Sequence, residues 1–100
     1  MEYVHIGWCK EANHDKVWGI LLLESDVDSH GVNKYASFWG RRGGKLQTKI
    51  FETFSWHARE MFEAKLKKGY SSVNKNRLDT VYPEFQRDLE RTALWAILKA

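Results

Sequence analysis

The sequence predicts an α+β domain: a small antiparallel β-sheet of about four strands, with one crossing helix and an additional C-terminal helix. Three observations predict it. Apolar residues alternate or run in short stretches as far as Phe54, and from there they recur at helical spacing. The connections between the early stretches are short, which suits antiparallel hairpins and not parallel crossovers. At 100 residues with 43% hydrophobic content, the chain can fill one core and not two.

Taken in order, Tyr3 to Lys10 alternates, with Val4, Ile6 and Trp8 on one face and His5, Gly7 and Cys9 on the other, and reads as a first strand. Glu11 to Asp15 is turn-like. Val17 to Leu23 is apolar on both faces, so this second strand is central and needs cover above and below the sheet. Ser25 to Gly31 is a polar loop. A third strand runs from about Asn33 to Arg41, Gly43-Gly44 makes a turn, and a fourth runs from about Lys45 to Glu52. Ser55 is a candidate N-cap for a helix carrying Ala58, Met61, Phe62, Lys65 and Leu66 on one stripe. Lys67, Lys68 and Gly69 close it, as the helix dipole and a glycine stop favour, and Glu63 and Lys67 form an i,i+4 pair. The expected organisation is a domain over residues 3–70, an irregular connection over 71–82 and a C-terminal helix over 83–98 packed on the same domain. That helix begins at Pro83, carries Phe85, Leu89, Ala93, Ala96 and Ile97 on one stripe, and ends apolar nearly all round, suited to docking or a subunit contact.

The longest apolar run, Val17 to Leu23, is far short of the roughly 20 residues a membrane helix needs. The first residues lack a basic start followed by an apolar stretch, so no secretion signal is expected. One cysteine, Cys9, cannot close an internal disulfide, which fits a reducing compartment. The expected setting is cytoplasmic, or nuclear in a eukaryote, with no membrane partner.

Charge is uneven along the chain. Lys34 to Lys49 holds five basic residues and no acid, and Lys65 to Arg77 holds five more, again without an acid. Segregation of this kind favours a polyanion where the two segments meet, and the sequence predicts one continuous positive surface from them. Solvated surface lysines are the plain alternative.

The segment Tyr35-Ala36-Ser37-Phe38-Trp39-Gly40-Arg41-Arg42-Gly43 is the most specific in the chain. As a strand it places Tyr35, Ser37, Trp39 and Arg41 on one face and Ala36, Phe38 and Gly40 on the other. The second set suits a core. The first sets two aromatic rings and a guanidinium side by side, the combination that stacks on a sugar or base and pairs with phosphate. The other reading of Trp39 is that of one more core tryptophan among five.

Trp39-Gly40-Arg41 resembles the tripeptide that names the WGR domain, found in DNA-dependent poly(ADP-ribose) polymerases and in bacterial proteins. Asn13-His14-Asp15-Lys16-Val17-Trp18 is similar to the family's N-x-x-K-aromatic start of the second strand. Gln47-Thr48-Lys49 is similar to its Q-T-K, and Ser55, Ala58, Phe62, Lys68, Gly69 and Tyr70 to its single-helix pattern. The likeness spans about Tyr3 to Tyr70. Arg42 stands where the family has an aliphatic residue, and Leu46 where it has glycine. The resemblance implies a small antiparallel sheet with one helix across it. In the polymerases such domains contact DNA at a strand break, the tryptophan against the terminal sugar, and the likeness carries those roles onto Trp39 and Arg41 only.

Other signals fail on spacing. Gly40 to Lys45 lacks the Gly-Lys-Ser/Thr of a phosphate loop and lies between strands. His5, Cys9 and His14 lack zinc-ligand spacing, and Cys9 has no orienting group to make it a nucleophile. Glu60 and Glu63 suit a solvated helix face. The expectation is therefore a non-catalytic nucleic-acid-binding domain with no cofactor or metal, recognising DNA ends, nicks or single strands. Its expected contacts are Trp39, Arg41, Arg42, Tyr35, Lys45, Gln47, Lys49, Lys68, Lys75 and Arg77. The alternative is a protein-interaction module using the same Trp39/Arg41 face. A protein partner or homodimer through the C-terminal helix is a further expectation.

Overall fold

A computed structural model describes residues 2–11 and 13–98, with the side chains of Glu2, Tyr3, Ile97 and Leu98 outside the description. Ala12 of the first turn, and the apolar end that Ile97 and Leu98 give the last helix, therefore lie outside the described residues. The fold is α+β: a five-stranded antiparallel sheet in the order β4-β3-β2-β1-β5 with helices on both faces. The strands are β1 (Glu2–Glu11), β2 (His14–Glu24), β3 (Asn33–Arg41), β4 (Gln47–Thr53) and a two-residue β5 (Ser71–Ser72). Helix α1 (Ser55–Lys67) follows β4, and a 3-10 turn (Lys75–Arg77) leads into three short helices: α2 (Leu78–Val81), α3 (Phe85–Glu90) and α4 (Ala93–Leu98).

The doubly apolar second strand is central and enclosed from both sides. Val17 and Leu21 face a core completed by Ala36, Phe38 and Leu46 of the β3–β4 hairpin and by Leu78, Tyr82, Phe85, Leu89 and Leu94 of the C-terminal layer. Trp18 and Ile20 face the opposite way, onto Tyr35 and the α1 residues Ala58 and Phe62. The C-terminal segment is thus the cover for the second face of the sheet. Gly19 shares the Val17/Leu21 face: a β-carbon there would come within 2.4 Å of the Phe38 ring, so Phe38 fills the space that the missing side chain leaves.

Five local expectations are corrected. Residues 71–82 are not simply irregular, because the outer edge of β1 needs partners for its backbone groups. Ser71 and Ser72 pair with Trp8 and Gly7, and the Val73 N–H donates to the Ile6 carbonyl at 2.9 Å. The single helix expected from Pro83 to Leu98 is broken at Arg91-Thr92. The Thr92 hydroxyl and N–H both donate back to the Leu89 carbonyl, at 2.7 and 3.1 Å, and divert the helical ladder. Ser55 is the first helical residue, and Phe54, extended and without a side-chain cap, is the N-cap. Glu63 pairs with Arg59 at 3.3 Å rather than with Lys67. In β1 a bulge between Tyr3 and His5 turns Val4 out to solvent, while His5 stacks on Phe62 on the α1 face.

Candidate functional site

The site is built where β2 and β3 end. In the β2–β3 ladder Trp39 pairs with Trp18, and Arg41 with Lys16. Cross-strand partners share a face, so Lys16, Trp18, Trp39 and Arg41 all point to the α1 side. Helix α1 runs over the sheet from the end of β4 and closes beside β1, where the space above Gly69 is bounded by Cys9 and Glu11. It covers Tyr35 and Ile20 and leaves the Trp39 end partly open. Phe38, on the other face, is 1% exposed.

The middle residue of the tripeptide has a backbone reason to be glycine. Gly40 has φ +146°, and a β-carbon there would lie 3.1 Å from the Lys45 carbonyl and against Leu46. Leu46 is buried in the core, so the turn of the hairpin folds back tightly under Gly40 and leaves Trp39 and Arg41 on the free side.

Lys16, Trp39, Gly40, Arg41, Lys65 and Tyr70 line a cavity of about 260 Å³. None of these six is acidic. Lys65 comes from the last turn of α1, where the helix dipole favours cations, and its ammonium stands 5.7 Å over the Trp18 ring. The Lys65 carbonyl accepts the N–H of Lys68 and of Tyr70, at 3.0 and 3.2 Å. Gly69, at φ +106°, supplies the left-handed turn that brings Tyr70 back over Gly7. Burial, and then the neighbouring Cys9, raise the Tyr70 phenol above its ordinary range, so it stays neutral. Among the described residues the ion pairs join Arg42 to Asp15, Arg59 to Glu63 and Arg87 to Asp88, and Lys16, Arg41, Lys49 and Lys65 take part in none. Three cations beside two aromatic rings form a place for an anion attached to a flat or ring-shaped group.

The expected contact residues divide. Trp39, Arg41, Gln47 and Lys49 share the open face, since Gln47 pairs with Trp39 and Lys49 with Ser37. Lys68 stands exposed at the C-cap of α1, next to the cavity wall. Tyr35 does not belong with them. It is 2% exposed, packed under α1 and stacked on Phe51, and its hydroxyl accepts from Asn33 at 3.0 Å. Lys45 turns toward the C-terminal layer, where it flanks a separate cavity beside Asp88 and Arg91. Lys75 and Arg77 follow β5, at the opposite sheet edge from β4, a width of about 19 Å across the strands. The two basic segments therefore meet only at the cavity, through Arg41 and Lys65, and Lys75 and Arg77 lie apart from it.

Arg42 is engaged on the other face. Its Nε and Nη2 reach Asp15 Oδ2 at 3.2 and 3.0 Å, its Nη1 donates to the Val81 carbonyl at 2.6 Å, and its guanidinium lies 4.7 Å over the Trp8 ring. The Trp8 indole N–H donates to Asp15 Oδ1 at 2.7 Å. That hydrogen bond, with the Arg42 contacts, holds the Asp15 carboxyl below its ordinary range against the opposing effect of burial. Arg42 is thus half-buried and used up, not a free phosphate contact.

Lys16, Lys65 and Tyr70 are absent from the contacts expected from the sequence, where Lys65 belongs to the helix stripe. Lys16 enters through the β2–β3 register, which the loop between those strands hides from counting. Tyr70 enters through the left-handed turn at Gly69, a signal that marks a helix end and not a binding wall. Among the described residues, no group of three or more His, Cys, Asp or Glu side chains is arranged to hold a metal. Compared with protein-family models, with curated proteins and with solved structures, the chain matches none.

Proposed function

We propose that the domain is a non-catalytic nucleic-acid-binding module that takes DNA ends, nicks or single-stranded segments on its Trp39/Arg41 face. The observation that carries this reading is the acid-free cavity in which Lys16, Arg41 and Lys65 surround Trp39 and Tyr70. A half-exposed ring offers stacking to a base or sugar that has lost a neighbour, and the cations offer contacts to the adjoining phosphates. Gln47 and Lys49 extend the same face along the β4 edge. The resemblance to WGR domains at Trp39 and Arg41 points the same way. A cytoplasmic or nuclear setting suits such a role, and among the described residues no helix is long and apolar enough to cross a membrane.

A titration against blunt, nicked and single-stranded oligonucleotides at two salt concentrations tests it. Binding should weaken with salt, the log–log slope losing about 0.7–0.9 per phosphate contact. Trp39→Ala should cost about 1–3 kcal/mol of binding with the slope unchanged, because a ring and not a charge is lost. No binding at low salt overturns the reading and leaves a protein-interaction module on this face as the better account.

A further inference from the structure

We infer that Arg42 is a positioning residue for this site: from the opposite face of the sheet it holds Lys16 and Arg41 side by side, without itself touching the ligand. The inference deepens the nucleic-acid reading and rests on it for its functional half.

The argument begins with a conflict. Lys16 and Arg41 are direct cross-strand partners at the open end of the β2–β3 ladder. Like charges placed directly opposite one another destabilise a strand pair, so this end should splay. The next residue on each strand's far side removes the conflict. Asp15 precedes Lys16, Arg42 follows Arg41, and alternation sends both to the opposite face, where they carry opposite charges. There they form a two-pronged ion pair at 3.0 and 3.2 Å, and the Arg42 N–H also donates to the Asp15 carbonyl at 2.9 Å.

The clasp is anchored beyond the two strands. Trp8 of β1 lies under the guanidinium and donates to the second Asp15 oxygen, and the Val81 carbonyl at the end of α2 accepts the remaining Arg42 nitrogen. One side chain therefore ties the β1–β2 hairpin, the β3–β4 turn and the C-terminal layer together, directly beneath two repelling cations. Lysine cannot reproduce this, because only a planar fork reaches a carboxylate and a carbonyl while lying flat on an indole. The result is a pair of cations held ready for an anion, with the cost of bringing them together met during folding and not during binding.

The test is a double-mutant cycle on nicked-duplex binding, well below the melting temperature of every variant. Arg42→Gln should weaken binding about tenfold and leave the salt slope unchanged, and Arg42→Lys should not restore it. In an Arg41→Ala background, Arg42→Gln should cost little more, because the repelling pair that Arg42 holds together is gone. Leu94→Val, which loosens the C-terminal layer away from the clasp, should bind as the wild type does. A slope lowered by about one unit would make Arg42 a phosphate contact and overturn the inference. An equal loss in both backgrounds, or no loss, also overturns it. If the wild type binds no oligonucleotide, the nucleic-acid reading fails separately. Amide exchange then decides the structural half: Arg42→Gln should speed exchange at residue 42 and at Gly44, whose N–H donates to the Arg41 carbonyl at 2.9 Å. Unchanged exchange there refutes the clasp.

Discussion

At the end of β2 and β3 the two faces of one sheet use neighbouring cross-strand pairs in opposite ways. On the C-terminal side, Asp15 and Arg42 are paired, half-buried and fixed by Trp8 and Val81. On the α1 side, Lys16 and Arg41 have the same sign and line an open cavity with no acidic residue in its wall. The wider faces differ likewise. Phe85, Leu89 and Leu94 complete the larger core on one of them, whereas α1 crosses the other over a smaller core and leaves Trp39 and Met61 half-buried. The closed face supplies stability and the open one carries charge that folding alone would not place there. Residues that conflict with stability in this way are where ligands are expected.

The largest effect that can break this comparison is a cavity. Leu89→Ala should cost about 2–5 kcal/mol in denaturant unfolding, and Met61→Ala on the open face about half that or less. Similar costs would mean that the faces are equally closed. Next comes Asp15→Asn, which removes the acid of the clasp and should cost about 1–3 kcal/mol near neutral pH. Because the folded-state carboxyl is held below its ordinary value of 3.8, its contribution is present above that pH and is lost as pH falls through the lowered value. The stability curves of wild type and Asp15→Asn should therefore converge in acid, and parallel curves would deny the clasp its charge. Lys16→Gln should act the other way, raising stability by about 0.2–1 kcal/mol through relief of repulsion. The same substitution should weaken oligonucleotide binding and lower the salt slope by about one unit. The smallest effect belongs to His5, whose imidazole is pushed below 6.5 by burial and by Arg59, with Glu63 partly opposing. Wild-type stability should fall as pH drops below that value, and His5→Gln should flatten this part of the curve.

Strand alternation was enough to separate Phe38 from Trp39, and the two-sided apolar second strand was enough to require helices on both faces. Alternation could not separate Tyr35 from Trp39. They share a face, and only the line along which α1 crosses decides that one is core and the other half-open. Arg42 was misread for a similar reason. Its neighbours in sequence make a basic turn, whereas its partners Asp15, Trp8 and Val81 come from distant parts of the chain. The C-terminal break escaped detection because a threonine hydroxyl bonding backward leaves the hydrophobic spacing of the helix unaltered.

The fit of Phe38 into the space over Gly19 has a consequence for how this sequence can change over time. Any side chain at position 19 would meet the ring at 2.4–2.6 Å and the His5 carbonyl at 2.9 Å. A smaller residue at 38 would empty the centre of the sealed layer. Neither position can drift alone in one step without loss. A descendant that trades Gly19 for alanine must pass through, or arrive with, a reduced residue at 38 and something bulkier from the Phe85 side, whose ring lies 4.9 Å away. Single-site libraries should therefore find both positions intolerant, while a library that varies 19, 38 and 85 together should recover folded combinations.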